Sequence, residues 1–197
     1  MNTKPFVSVV MSVYNGELFL KEAIDSILSQ TYKKFEFIII DDGSTDGSLN
    51  IINEYSDERI KILVNPKNEG LIFSLNKGIE LALGTYIVRM DADDISLPQR
   101  IEEQVSFMEK HKEIGVCGTD IEVFGKSLNG YIHRFKRSPI ANNAALLFTT
   151  CFAHPSVIIR KSVLDQYHLC YNGVYRNAEA VSYTHLRAPE TVLDLVC

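Results

Sequence analysis

The 197-residue chain has no CxxC pair and no close Cys/His spacing; its four cysteines, Cys117, Cys151, Cys170 and Cys197, are scattered. That argues against a zinc site and for reduced thiols acting as packing residues, as in the cytoplasm. Positive charge is not in excess: 20 Lys and Arg stand against 25 Asp and Glu, a formal net charge of −5. A nucleic-acid binder normally carries a basic face, so that class is disfavoured. The first residues show no charged segment followed by an apolar one, so no signal peptide is read. No apolar run approaches the ~20 residues that cross a bilayer; the longest, residues 144–152, is interrupted by threonines. The Gly-rich loops of dinucleotide and P-loop sites are missing too, because the first strand-to-helix turn, Tyr14-Asn15-Gly16-Glu17, holds one glycine. Internal repeats and low-complexity segments are absent. What is there, 46% hydrophobic and 23% charged residues, is ordinary for one globular domain with a single sizeable core.

Residues 6–14, FVSVVMSVY, form a continuous apolar and β-branched run, as expected of a strand buried on both faces. After Asn15-Gly16, the spacing of Leu20, Ala23, Ile24, Ile27 and Leu28 predicts an amphipathic helix. A second strand is predicted over 35–40, a helix over 48–55, and a short strand over 59–64. Leu71, Leu75, Ile79 and Ala82 mark a third helix stopped by Gly84. A fourth strand over 85–90 runs into Asp91-Ala92-Asp93-Asp94, and Pro98 is expected to open a helix carrying Ile101, Val105 and Met108. Strands alternating with helices predict βαβ units and a mainly parallel α/β sheet. Ligands of such sheets bind beyond the carboxyl ends of the strands. Three of those ends carry polar clusters: Tyr14-Asn15, Asp41-Asp42 and Asp91-Asp93. After residue 114 shorter pieces follow: a strand over 116–124, another over 131–135, a helix near 142–148 and a strand over 156–159. They are read as antiparallel additions.

The polar clusters suggest chemistry. Asp91 and Asp93, two residues apart at a strand end, suit one shared divalent ion. Hard oxygen ligands favour Mg²⁺ or Mn²⁺, with diphosphate oxygens and water completing an octahedron. The same triplet also reads as a solvated acidic turn. An EF-hand is excluded, because Ser96 stands where its loop needs glycine. Asp41-Asp42-Gly43-Ser44 reads either as a turn in which Ser44 or Asp46 caps the next helix, or as a carboxylate accepting the imide N–H of uracil. The lone His154, beside Pro155, reads as a loop residue or a functional one.

Taken in order, VSVVMSVYN, SILSQTY, FEFIIIDDGSTDGS, NEGLIFSLNKGI, GTYIVRMDADD and CFAHPSVIIRKSVL resemble the family-2 glycosyltransferases over residues 5–179. The resemblance implies a GT-A fold: a Rossmann-like nucleotide-binding sheet flanked by helices, with a smaller antiparallel acceptor-side part. It implies a nucleotide-sugar donor, transfer with inversion, and Mg²⁺ or Mn²⁺. By the same resemblance Val13, Tyr14 and Asn15 line the nucleoside pocket, Asp42 or its neighbour Asp41 reads the base, and Asp91 contacts ribose or metal. Asp93 is the principal metal ligand, and His154 lies on the acceptor side. Two departures stand out. Leu75 occupies a position where many relatives have an arginine for the diphosphate, which leaves the metal and Lys77 for that charge. The family's acidic pair, Glu-Asp, is represented by Glu179 alone, with Ala180 in place of the aspartate base. Residues 180–197 fit no pattern of the fold and resemble a translated adapter sequence fused to an interrupted reading frame. The native part of this chain is therefore expected to end near Glu179, with the enzyme cut short.

The expected function is transfer of a sugar, from a UDP-sugar in the first instance, to a saccharide or lipid-linked acceptor in surface polysaccharide synthesis. The expected place is the cytoplasm, with peripheral contact at the inner membrane face. An inactive nucleotide-sugar-binding fragment and, less favoured, a nucleotidyltransferase are the alternatives.

Overall fold

The computed structural model of the chain describes residues 6–125, 128–134 and 152–172. Seven elements open it in strict alternation: β1 (Val7–Val13), α1 (Leu20–Leu28), β2 (Phe35–Asp41), α2 (Ser48–Asn53), β3 (Ile60–Val64), α3 (Leu71–Leu81) and β4 (Tyr86–Asp91). Then come α4 (Arg100–Lys110), β5 (Val116–Cys117), β6 (Ile121–Gly125), β7 (Leu128–His133), a 3-10 turn (His154–Ser156), β8 (Ile158–Arg160) and α5 (Lys161–Tyr167). Six strands make one sheet in the order β3-β2-β1-β4-β8-β5. The first four run parallel; on the β4 side β8 is added antiparallel to β4, and β5 pairs antiparallel to β8 and so runs in the direction of the first four.

Residue alternation on the strands feeds two cores. Val7, Val9, Met11, Phe37, Ile39, Val88 and Met90 face α1 and α4, meeting Ala23, Ile24, Ile27, Ile101 and Met108. Val10, Ile38, Ile40 and Ile87 face the other way, onto Leu75 of α3 and onto Ile159, Leu164 and Tyr171. A strand covered on both faces reads as an unbroken apolar run, which is why β1 and β2 are legible from composition alone. The register brings the ends into line: Val13 pairs with Asp41, Asp41 with Val64, and Ser12 with Asp91. The carboxyl ends of all four parallel strands thus share one edge.

Several expectations are corrected. Pro98 lies in a turn before α4, where its carbonyl accepts the Thr31 N–H at 2.9 Å, and the helix begins at Arg100. The N-cap of α2 is Gly47, with no side-chain cap; Asp46 accepts the Ser48 N–H at 3.0 Å from one residue further out. The strand predicted over 116–124 breaks in two, because the Thr119 N–H turns to the Ser156 hydroxyl at 3.2 Å and β6 leaves the main sheet to pair with β7. Helix α5 was not predicted. The helix expected near 142–148, Phe135, and the tail 180–197 lie outside the described residues.

Candidate functional site

Two strand-to-helix turns are laced together at the shared edge. Asn15, which follows β1, adopts φ 53°, in the left-handed region that asparagine tolerates. Its N–H donates to the Ser44 hydroxyl at 3.0 Å, and its side-chain oxygen accepts the Thr45 N–H at 2.8 Å. The Gly16 N–H donates to the Ser48 hydroxyl (2.9 Å), the Glu17 N–H to Asp46 (3.1 Å), and Glu17 in return accepts the Gly47 N–H (2.6 Å). The Asn15 amide therefore builds the rim. Val13 is fully buried in the core at the end of β1, and Tyr14 beside it is half exposed.

Asp41 and Asp42 are both 1% exposed, yet their carboxylates differ. Asp42 accepts hydrogen bonds from Asn65 Nδ2 (2.7 Å), the Glu69 N–H (3.0 Å) and the Gly70 N–H (2.8 Å), clasping the segment that leads into α3. Burial pushes its pKa up, but these hydrogen bonds outweigh burial and hold the group below the usual carboxylate range. Asp41 accepts the Ser44 N–H at 3.3 Å through Oδ2. Its Oδ1 is buried and takes no hydrogen bond among the described residues. A buried carboxylate oxygen with no donor is costly, and it calls for one.

Three carboxylates, Asp91, Asp93 and Asp94, follow one another closely in the chain at the end of β4. Asp91 is ion-paired to Arg89, two residues back on the same face of the strand. Asp93 is exposed, and Asp94 is half-buried. Burial, then the charges of Asp91 and Asp93, push the Asp94 carboxyl up from its ordinary value. Mutual repulsion of this kind is what a bound cation relieves, and hard oxygen donors suit Mg²⁺ or Mn²⁺. Among the described residues no three His, Cys, Asp or Glu side chains gather as a metal cage. A cation at this turn would therefore take its remaining ligands from water and from a bound anion.

His154 sits on the β8 side, in the 3-10 turn before that strand. Its Nε2 meets the Tyr171 hydroxyl at 2.5 Å, and the two rings pack edge to face. Asn76 of α3 fixes Tyr171 through its backbone, donating to the carbonyl at 2.9 Å and accepting from the N–H at 2.8 Å. Burial first, then the Arg89 charge, push the His154 imidazole down to about 3. Glu179 and Ala180 lie outside the described residues. Sequence reasoning missed Arg89, Asn65, Asn76 and Tyr171. Only Arg89 left a signal there: a charge inside the apolar run of a central strand.

With this geometry in place, comparison with known proteins is decisive. The sequence model of the family described as glycosyl transferase family 2 matches residues 8–167. The chain belongs to that family. The chain is 50% identical over 127 residues to the putative glycosyltransferase EpsE of Bacillus subtilis, covering 63% of this chain and 46% of that one. It is 35% identical over 163 residues to the O-antigen biosynthesis glycosyltransferase WbnJ of Escherichia coli, covering 80% and 63% of the two chains. Among solved structures it resembles S. aureus TarS 1-349 in complex with UDP-GlcNAc, with a TM-score of 0.76, 22% identity, and 90% and 52% of the two chains covered. It also resembles a mannosyltransferase of Pyrobaculum calidifontis in complex with GDP-Man and Mn²⁺, with a TM-score of 0.70, 17% identity, and 92% and 51% covered. Those likenesses show a GT-A type fold. The chain spans about half the length of the curated relatives it matches, 46% and 59% in two of them. No helix among the described residues is long and apolar enough to cross a membrane.

Proposed function

We propose that the edge formed by the ends of β1, β2 and β4 holds the nucleotide of a UDP-sugar, and that the family-2 enzyme transfers the sugar with inversion to a saccharide or lipid-linked acceptor in cell-surface polysaccharide synthesis. The observation that carries this reading is Asp41: a buried carboxylate oxygen without a donor among the described residues. Asp41 is paired with Val13 at the β1 end that leads into half-exposed Tyr14, one register step from the Ser12–Asp91 pair that ends β4. The imide N–H of uracil supplies the missing donor, with Tyr14 at the base and Val13 beneath it. Asp41, and not Asp42, is then the base reader, since Asp42 is committed to residues 65–70. A guanine base also presents a ring N–H, so the pocket's preference is a measurable property.

Asp93, with Asp91, would hold Mg²⁺ or Mn²⁺ against the diphosphate, and the cation would stabilise the charge that builds on the departing phosphate. In the transfer the acceptor oxygen bonds to the anomeric carbon as the bond to the diphosphate breaks. The electron pair leaves with the diphosphate, and the acceptor proton passes to a carboxylate base. By the family resemblance Glu179 would directly precede that base in the sequence, and this chain has Ala180 at the position of the base. His154, on the β8 side, belongs to the acceptor half. A location in the cytoplasm, with peripheral contact at the inner membrane face, would suit a lipid-linked acceptor. Calorimetry of UDP and GDP with Mn²⁺, on the wild type and on Asp41→Asn, tests the reading. UDP is expected to bind more tightly than GDP, and Asp41→Asn to remove most of that preference. Equal affinity for both nucleotides in wild type and variant would remove Asp41 from the base.

A further inference from the structure

Arg89 stands where an apolar residue is expected. It is 3% exposed on β4, a strand with neighbours on both sides, and its face is otherwise built from Ile87, Val10 and Val157. A buried cation is tolerated only with a well-placed counter-charge, and Asp91 provides it through Oδ2. The backbone of Arg89 is engaged from two further sides. Its N–H donates to the carbonyl of Val157, directly after the 3-10 turn that carries His154, at 3.1 Å. Its carbonyl accepts from Arg100 Nη2 at 2.9 Å. Its Nε and Nη1 are both buried and make no hydrogen bond among the described residues, so Nη1 meets Asp91 Oδ2 as a close ion pair and not as an aligned hydrogen bond.

We propose that Arg89 is a positioning residue for the Asp91 carboxylate and couples the His154 turn to the Asp91–Asp93 turn. This rests on the donor-site reading above. The guanidinium fixes one oxygen of Asp91 and so sets the direction in which the carboxylate faces a cation. On its other flank the His154 ring, held by Tyr171 and through it by Asn76, supplies no negative charge; Asp91 is the carboxylate ion-paired to Arg89, and Asp94 feels the same guanidinium through its charge. A shift of the His154 turn is carried to Asp91 through one residue, because the carbonyl of Val157 and the carboxylate of Asp91 are both partners of Arg89. Outer partners that orient a metal-binding carboxylate typically change metal affinity by ~10–100-fold when removed.

The test uses the whole chain in two parts. The first is calorimetry of UDP with and without Mn²⁺ on wild type, Arg89→Met and Arg89→Lys. Arg89→Met is expected to reduce the Mn²⁺-dependent gain in UDP affinity at least about 10-fold while leaving metal-free UDP affinity in place. Arg89→Lys is expected to restore part of the gain. An unchanged gain in Arg89→Met, with only the melting temperature moved, overturns the proposal and makes Arg89 a purely structural ion. The second part needs no ligand: thermal melts of Arg89→Met, Asp91→Asn and the double variant. Asp91→Asn strands a buried cation, so the double variant is expected to melt above Asp91→Asn alone. Additive losses overturn the pairing by themselves. A wild type with no Mn²⁺-dependent UDP affinity overturns instead the donor-site reading and, with it, the role given to Arg89.

Discussion

Adjacent carboxylates at the end of β2 do different jobs, and their hydrogen bonds tell them apart. Asp42 is a clasp. Its folded pKa lies below the usual value, so the stability it contributes is fully present above the unfolded carboxylate pKa of ~4 and is lost as pH falls through the folded value. Asp42→Asn is expected to cost ~1–3 kcal/mol at neutral pH, because an amide keeps one acceptor oxygen and turns its NH2 either toward the Gly70 N–H or toward the donors of Asn65 and Glu69. Thermal melts at several pH values should show the gap to wild type narrowing in acid. Asp93, exposed at the turn after β4, has no such structural duty. Asp93→Ala is expected to abolish the Mn²⁺-dependent part of protection by UDP while the metal-free melting temperature stays put. Equal protection of both proteins would remove Asp93 from the metal.

At the scale of elements, the four parallel strands and the first three helices were legible because each carries a period matched to its surroundings. β1, β2 and β4, covered on both sides, show solid apolar runs; β3, at the sheet edge, is only partly buried and shows a short apolar stretch; helices covered on one side show stripes. The fragments after residue 114 were harder. Phe152 lies 3.1 Å from where a side chain on Gly118 would begin, so the break between β5 and β6 depends on a contact 34 residues away that no local pattern records. The site divides the same way. Strand ends are visible in sequence, whereas the lacing of Asn15 to Thr45, or of Asn76 to Tyr171, joins turns far apart in the chain. Arg89 was visible as a charge in an apolar run but not interpretable without its partner. Close packing of α3 gives a further expectation. A Cβ on Gly78 would lie 2.4 Å from Val10 Cγ1 and 2.9 Å from Ile40 Cδ1, so the helix rests nearly on the sheet. Gly78→Ala should destabilise by ~1–3 kcal/mol through overpacking, with Val10→Ala in the same chain recovering part of the loss in a chemical-denaturation series.

For the whole molecule, binding and turnover are expected to separate. The residues assigned to the nucleotide lie within the described α/β part, while the assigned base position holds Ala180. The 197-residue chain should bind UDP yet transfer sugar slower by the ~10²–10⁴-fold that a general base contributes. A sugar-transfer assay run beside UDP calorimetry checks this. Transfer as fast as that of a version continuing natively past Glu179 would move the base elsewhere, with Asp120 and Glu122 next in line. The reading of residues 180–197 as foreign predicts that their deletion changes stability by less than ~1 kcal/mol. A cooperative loss of folding on deletion would mark them as native.

The strand order carries a consequence for how the molecule is made. β1 is synthesised first, yet it sits between β2 and β4, and its second ladder needs a strand that follows two further helices. Until β4 emerges, the nascent chain presents the bare flank of β1, an apolar ribbon whose amide and carbonyl groups await partners. Such non-local pairing is slow, on the order of milliseconds to seconds, and leaves a window in which two unfinished chains are able to pair with each other instead. Refolding yield should therefore fall with protein concentration far more steeply than the stability of the finished sheet would suggest.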